Sequence, residues 1–376
     1  MLFGDWAELK QAQGFGAIRV PTEDVDRVST RSMSVRFVDV GPWSIAVESD
    51  LPEVHEGLSR NFNRRYSESG PRPSQTLLTC RVISDAQAYQ SAAKTVDFGG
   101  PAIEASRGVT IRYGFEPSKT WLHVTKTAII ELDASKPTEC RVLLHPNVPS
   151  SYAERARPGV EELIACPEAF FYPMLVEWIR NFDACLVHCG AVAVNGSAVF
   201  LNGPPGSGKS THVLRMLTRG ASFVADDLAF LHAGAGGLRL LRFREVANVN
   251  TRTLEMFPEL SHLRDAPVRG DGKYCVSIAE RFPQTAITDA GPGVVLRLHP
   301  GETPTIKRVP PERVLDDMHS MAWFGSRPVA NRTHFGILCD WLFQCPQWYV
   351  SRAYMRDCLD ELMLRLDCGE ALRGKR

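Results

Sequence analysis

The stretch Gly203–Ser210, GPPGSGKS, has residue types and spacing suited to holding a polyphosphate. Gly203, Gly208, Lys209 and Ser210 satisfy G-x-x-x-x-G-K-[ST]. In that pattern the glycines let backbone N–H groups turn inward around the anion, and the following helix presents its positive end to it. Gly203, Pro204, Pro205, Gly206, Ser207, Gly208, Lys209, Ser210 and Thr211 are therefore expected to bind a nucleotide, ATP or GTP. Lys209 should reach the β- and γ-phosphates, and the Ser210 hydroxyl should ligate Mg²⁺. The plain alternative is a glycine-rich turn between a strand and a helix. The apolar run Ser197–Leu201 before the loop and the helical pattern after it favour the phosphate loop.

Asp226 and Asp227 end the next apolar run, where a phosphate-loop fold brings a second acidic element beside the nucleotide. One carboxylate suffices to hold Mg²⁺, directly or through water. The other either accepts the proton of an attacking hydroxyl or caps the following turn. His188, in CLVHCGAV, reads by itself as a core histidine. Next to the aspartate pair its imidazole could orient and charge-couple one carboxylate, which makes an acid/base set.

The array of His188 before the loop, GPPGSGKS, VADD at Val224–Asp227, and the later run PVRGDGKYCVSIAE resembles the catalytic domain of the HPr kinase/phosphorylase family, over roughly residues 170–300. The resemblance implies an α/β phosphate-loop domain of the HPr kinase / phosphoenolpyruvate carboxykinase type that phosphorylates a seryl hydroxyl of a protein. It makes His188 the partner of the catalytic aspartate, Asp226 the base, and Asp227 an aid to Mg²⁺ or orientation, with an exchange between the two aspartates left open. Lys209 and Ser210 keep their loop duties. Arg269, Gly272 and Lys273 look like the mobile basic loop that folds over the substrate; by composition alone the same loop is a solvated surface. Arg242, Arg244 and Glu245 match the family's Glu-x-Arg-Gly element only loosely, without its glycine, so a role for Arg244 and the reverse, dephosphorylating activity rest on little. The first 150 residues and the tail after residue 300 match nothing in the family, which implies an acceptor other than HPr. Chains of this kind look like HPr-kinase-related kinases linked to peptide modification or surface polymers.

Several elements must position these residues. A helical stripe, Phe171, Met174, Leu175, Trp178 and Ile179, precedes two strands, Leu186–Val194 and Ser197–Leu201, that meet at the hairpin dipeptide Asn195–Gly196. The helix after the loop should bury Val213, Leu214 and Leu217 and stop at Gly220. Upstream, short β-like runs such as Ser34–Val40 and Thr76–Ile83 predict a mostly β, α+β domain over 1–150, with a boundary near Pro146–Gly159. The expected divisions are 1–150 for recognition, 160–310 for catalysis, and 311–376 as a helical extension carrying the stripe Met355, Leu359, Leu362 and Leu366.

At 376 residues, two domains are the prior. Forty-three basic residues balance forty-three acidic ones, which argues against a nucleic-acid partner. Ten scattered cysteines, with no CxxC pair, read as reduced thiols in a cytoplasmic protein, and no stretch has the length and apolarity of a membrane span. The expected function is an ATP- and Mg²⁺-dependent kinase acting on a protein or peptide serine, and the resemblance implies a homo-oligomer. A small-molecule hydroxyl kinase and a nucleotide-binding regulatory ATPase are the rivals.

Overall fold

The computed structural model describes residues 33–62, 66–67, 75–100, 102–106, 109–125, 127–146, 170–268, 272–285, 287–315 and 328–367. Alternating apolar runs in the first part form β1 (Ser34–Val40), β2 (Trp43–Ser49), a two-residue β3 (Tyr66–Ser67) and β4 (Thr76–Ile83). A second group follows: β5 (Ala102–Ser106), β6 (Val109–Phe115), β7 (Lys119–Val124), β8 (Ala128–Asp133) and β9 (Glu139–Leu144). They make one mixed sheet in the order β3-β1-β2-β4-β9-β8-β7-β6-β5. The helix Pro52–Phe62 buries Val54, Leu58 and Phe62 in the same core. A helix absent from the sequence expectations, Ala86–Thr95, starts at Asp85, whose carboxylate accepts from the backbone N–H groups of Gln87 and Ala88. Its small side chains bury only Tyr89 and Ala92, so it leaves little apolar periodicity to read.

The second sheet holds the loop Gly203–Ser210. Its strands are β10 (Ala184–Val194), β11 (Ser197–Asn202), β12 (Ser222–Gly234) and β13 (Gly237–Arg242), with a separate ribbon of β14 (Val246–Val249) and β15 (Tyr274–Ser277). Further along come β16 (Asp289–His299), β17 (Ile306–Val309) and β18 (Gln347–Ser351). The order is β11-β10-β12-β13-β16-β18-β17, and β11 also pairs in parallel with β16, so the ladder returns to its first strand. The hairpin at Asn195–Gly196 forms as expected: both residues take positive φ, 50° and 76°, which suits a two-residue turn of the primed type.

Three expectations are corrected here. The stretch after 311 is not a helical appendage, because β18 lies between β16 and β17 inside the sheet. Its five residues, QWYVS, are too short a run to stand out from their surroundings. The apolar stripe near the carboxyl end divides into two helices, Arg352–Asp357 and Leu359–Asp367. Likewise β12 does not end at the aspartate pair but runs through it.

The two sheets share a core. Phe243, just past β13, meets Phe62, Phe230 and Tyr172 edge-on, and one buried cluster joins strands of the first sheet to the helix Phe171–Ile179 and to Phe230, Leu241 and Phe243. Residues Ser32–Arg376 accordingly behave as one compact unit. The expected boundary, Pro146–Gly159, lies almost wholly outside the described residues. No described helix is long and apolar enough to cross a membrane.

Gly190 sets how closely the loop helix, Lys209–Leu217, approaches the sheet. A Cβ there would stand 2.9 Å from Val213 Cγ2 and 3.4 Å from Lys209 Cβ. Gly190→Ala is therefore expected to push the helix outward, costing about 1–3 kcal/mol of stability in chemical denaturation. A wild-type midpoint would show that this contact does not set the approach of the helix.

Candidate active site

Register alone brings the expected residues to one place. Across β11, β10 and β12, Leu201 faces Gly190 and Gly190 faces Asp226, so the row on which Asp226 sits is the one from which β11 leaves for the loop. His188 is two residues along β10, opposite Leu228. In an unbroken strand Asp226 and Asp227 would point to opposite faces. Asp227 instead has φ 78°, a left-handed conformation that is costly for a residue with a Cβ, and the break lets both carboxylates serve one cleft.

The two aspartates end in different surroundings. Asp226 is buried, 1% exposed; its Oδ2 accepts from the Asn248 N–H at 2.8 Å, and Oδ1 is buried without a partner. Burial pushes its carboxyl up to about 6, against the nearby Ser210 hydroxyl and the Asn248 backbone N–H. Asp227 is half-exposed and lies 3.4 Å from His188 Nε2 through Oδ1 and 3.7 Å from Arg244 through Oδ2. The histidine thus adjoins Asp227, whereas the resemblance implies Asp226 as the base that it steadies. Burial lowers the His188 imidazole below its usual range; Asp227 opposes this and Lys209 adds to it. A neutral imidazole can hold the carboxylate by an N–H donor without adding a charge.

The loop turns at its glycines. Gly203, Gly206 and Gly208 all take positive φ. At Gly203 a Cβ would meet Leu298 O at 2.7 Å and Ser207 Oγ at 2.8 Å, so no larger residue fits. The Ser207 N–H donates to Pro204 O at 3.1 Å, closing the turn. Lys209 Nζ donates to Gly203 O at 2.7 Å and to Pro204 O at 3.3 Å, folded back on the loop. Burial lowers its ammonium below the usual range, against the pull of Asp226 and Asp227. Thr211 Oγ1 lies 2.9 Å from Thr253 Oγ1, tying the loop helix to the helix Thr251–Met256.

Arg244, weakly indicated by sequence, belongs to the cleft. It is 8% exposed, and its guanidinium lies 5.6 Å from the Tyr172 ring centre. Burial opposes its charge, but Tyr172, Asp227 and Asp226 outweigh that and hold it above its ordinary range. Neighbouring Glu245 is paired with Arg242 at 3.0 Å. Lys273 is exposed at the start of β15, and Arg269 lies outside the described residues. Sequence reasoning missed Gly190, Tyr172 and Asn248. A glycine inside an apolar strand could have signalled Gly190, since it marks close backbone approach. Asn248 contributes a backbone N–H, which no side-chain pattern encodes.

No family model and no curated protein matches the chain. Among solved structures, the HPr(Ser) kinase/phosphatase from Coxiella burnetii aligns with 50% of this chain and 99% of its own, at 12% identity and a TM-score of 0.30. A likeness that slight fixes neither fold nor chemistry.

The buried carboxyl of Asp226 gives a signed pH dependence. Because the folded chain holds the Asp226 proton to about 6 and the unfolded chain only to its ordinary 3.8, folding binds the proton. Stability from this group is present below pH 4 and is lost as pH rises through 6, by about 3 kcal/mol in all. Asp226→Asn, measured by thermal unfolding without nucleotide and in chelator, is expected to raise the midpoint at pH 8 and to leave it unchanged at pH 4. An equal shift at both pH values would contradict the burial of this charge.

Proposed function

We propose that the chain binds ATP with Mg²⁺ and transfers the γ-phosphoryl group to an acceptor hydroxyl, foremost a serine of a protein or peptide. One observation carries this reading: His188 lies 3.4 Å from a half-exposed carboxylate of Asp227, while its buried neighbour Asp226 faces Ser210 at the end of the loop. The contrast of environments divides the work between the two acids. Asp226, with an unpartnered oxygen beside a loop hydroxyl, fits a divalent cation shared with nucleotide oxygens. Among the described residues no group of three or more His, Cys, Asp or Glu could hold a metal by itself, so phosphate oxygens would complete the shell. Mg²⁺ bound there would neutralise charge on the β- and γ-phosphates.

Asp227 then serves as the base, an exchange of the roles that the family resemblance implies for the pair. The acceptor oxygen bonds to the γ-phosphorus as the bond from that phosphorus to the β,γ-bridging oxygen breaks. The acceptor proton passes to Asp227, and ADP leaves with the bridging oxygen. His188 keeps the Asp227 carboxylate aimed. Lys209, released from the loop carbonyls, and Arg244 lie where negative charge spreads, so the rate gain comes chiefly from positioning and electrostatics.

With γ-labelled ATP and a lysate of the protein's source fractionated by size, the unmutated chain is expected to label protein or peptide. Asp227→Asn should lower transfer by about 10²–10⁴-fold and change ATP affinity by no more than about threefold. Asp226→Asn should instead weaken Mg²⁺-dependent nucleotide binding about tenfold or more. Release of inorganic phosphate alone by the unmutated chain would reduce the protein to a nucleotide hydrolase. Label confined to small molecules would make it a metabolite kinase, and indistinguishable losses in the two variants would undo the division of labour.

A further inference from the structure

A cleft of about 1090 Å³ opens between the first sheet and the β14–β15 ribbon. It exceeds the ~300–1,000 Å³ that encloses a drug-sized molecule. Arg36 on β1 and Glu56 and Ser59 on the helix Pro52–Phe62 form one wall. Val246, Cys275 and Ser277 of the ribbon, with Glu280 just beyond it, form the other.

This second wall leads to the chemistry. In the ribbon Val246 opposes Ser277 and Asn248 opposes Cys275, so the four share a face, while Ala247, Val249 and Val276 turn into the core. The same ribbon supplies the Asn248 N–H that holds Asp226, and Cys275 is near enough to Arg244 to bear on its charge. Val246 and Asn248 are two residues apart, about 7 Å along a strand. The cleft and Asp226 are therefore served by one ribbon, the cleft by its side chains and Asp226 by its backbone edge.

We infer that this cleft receives the acceptor as an extended peptide segment, which runs along the ribbon and presents its hydroxyl to Asp227; the inference rests on the phosphotransferase reading above. Acidic Glu56 and Glu280 stand with basic Arg36 and Arg281 around apolar Pro267 and Val268. Such mixed walls suit alternating polar and apolar side chains. They lack the uniform positive charge that a nucleic acid needs. Arg281 is held by Asp265 at 2.9 Å, whereas Glu280 is exposed, so Glu280 selects a lysine or arginine of the acceptor.

The test uses a degenerate library of short peptides with one central serine and γ-labelled ATP, fixing Lys, Arg, Asp or Glu at each other position in turn. The unmutated chain is expected to favour Lys and Arg over Asp and Glu by about fivefold at one position, and Glu280→Arg to reverse that preference at the same position. ATP affinity, read with a fluorescent nucleotide, should stay within about twofold, and Ser59→Trp on the facing wall should raise the KM of the best peptide about tenfold with little change in kcat. A preference that Glu280→Arg leaves unchanged overturns the cleft assignment while sparing the transferase reading. Failure to label any peptide while small molecules of a lysate are labelled overturns the peptide acceptor, and transfer to no acceptor at all overturns both.

Discussion

A carboxylate that water barely reaches sits where sheet, loop helix and ribbon meet. Asp226 is 1% exposed, and burying such a group is tolerable only where hydrogen bonds or a cation compensate it. The protein supplies one N–H, from Asn248, and leaves one oxygen open. That single requirement explains much of the surrounding construction. The ribbon must lie against β12 to deliver its N–H, and Gly190 must lack a side chain so that the loop helix can bring Ser210 down to the sheet.

Asp227 is shaped by the opposite need. Its left-handed backbone interrupts the alternation of β12, so an acid that a regular strand would turn away shares the cleft with its neighbour. His188 and Arg244 then hold it from two sides, at 3.4 and 3.7 Å. Two adjacent carboxylates thereby acquire different surroundings and different access to solvent, an arrangement by which paired acids can hold separate duties.

Local features were legible in the sequence because their causes are local. The loop glycines, the Asn195–Gly196 turn and the apolar stripe from Phe171 to Ile179 each announce a conformation within a few residues. Features decided by distant partners were not. β18 is a strand because β16 and β17 flank it, Tyr172 matters because Arg244 lies over its ring, and the histidine's choice between two aspartates turned on one dihedral angle. The paired acids and the imidazole could be nominated from spacing, while their pairing could not.

Phe243 has a bearing on how the two halves can change. Its ring packs against Phe62 from the first half and Phe230 from the second. A chain shortened to begin near residue 170 would leave Phe171, Phe230 and Phe243 facing water, an apolar patch that invites aggregation. The half that holds the Gly203–Ser210 loop is thus not a portable cassette: inheritance, grafting or loss of either sheet has to carry the aromatic seam with it.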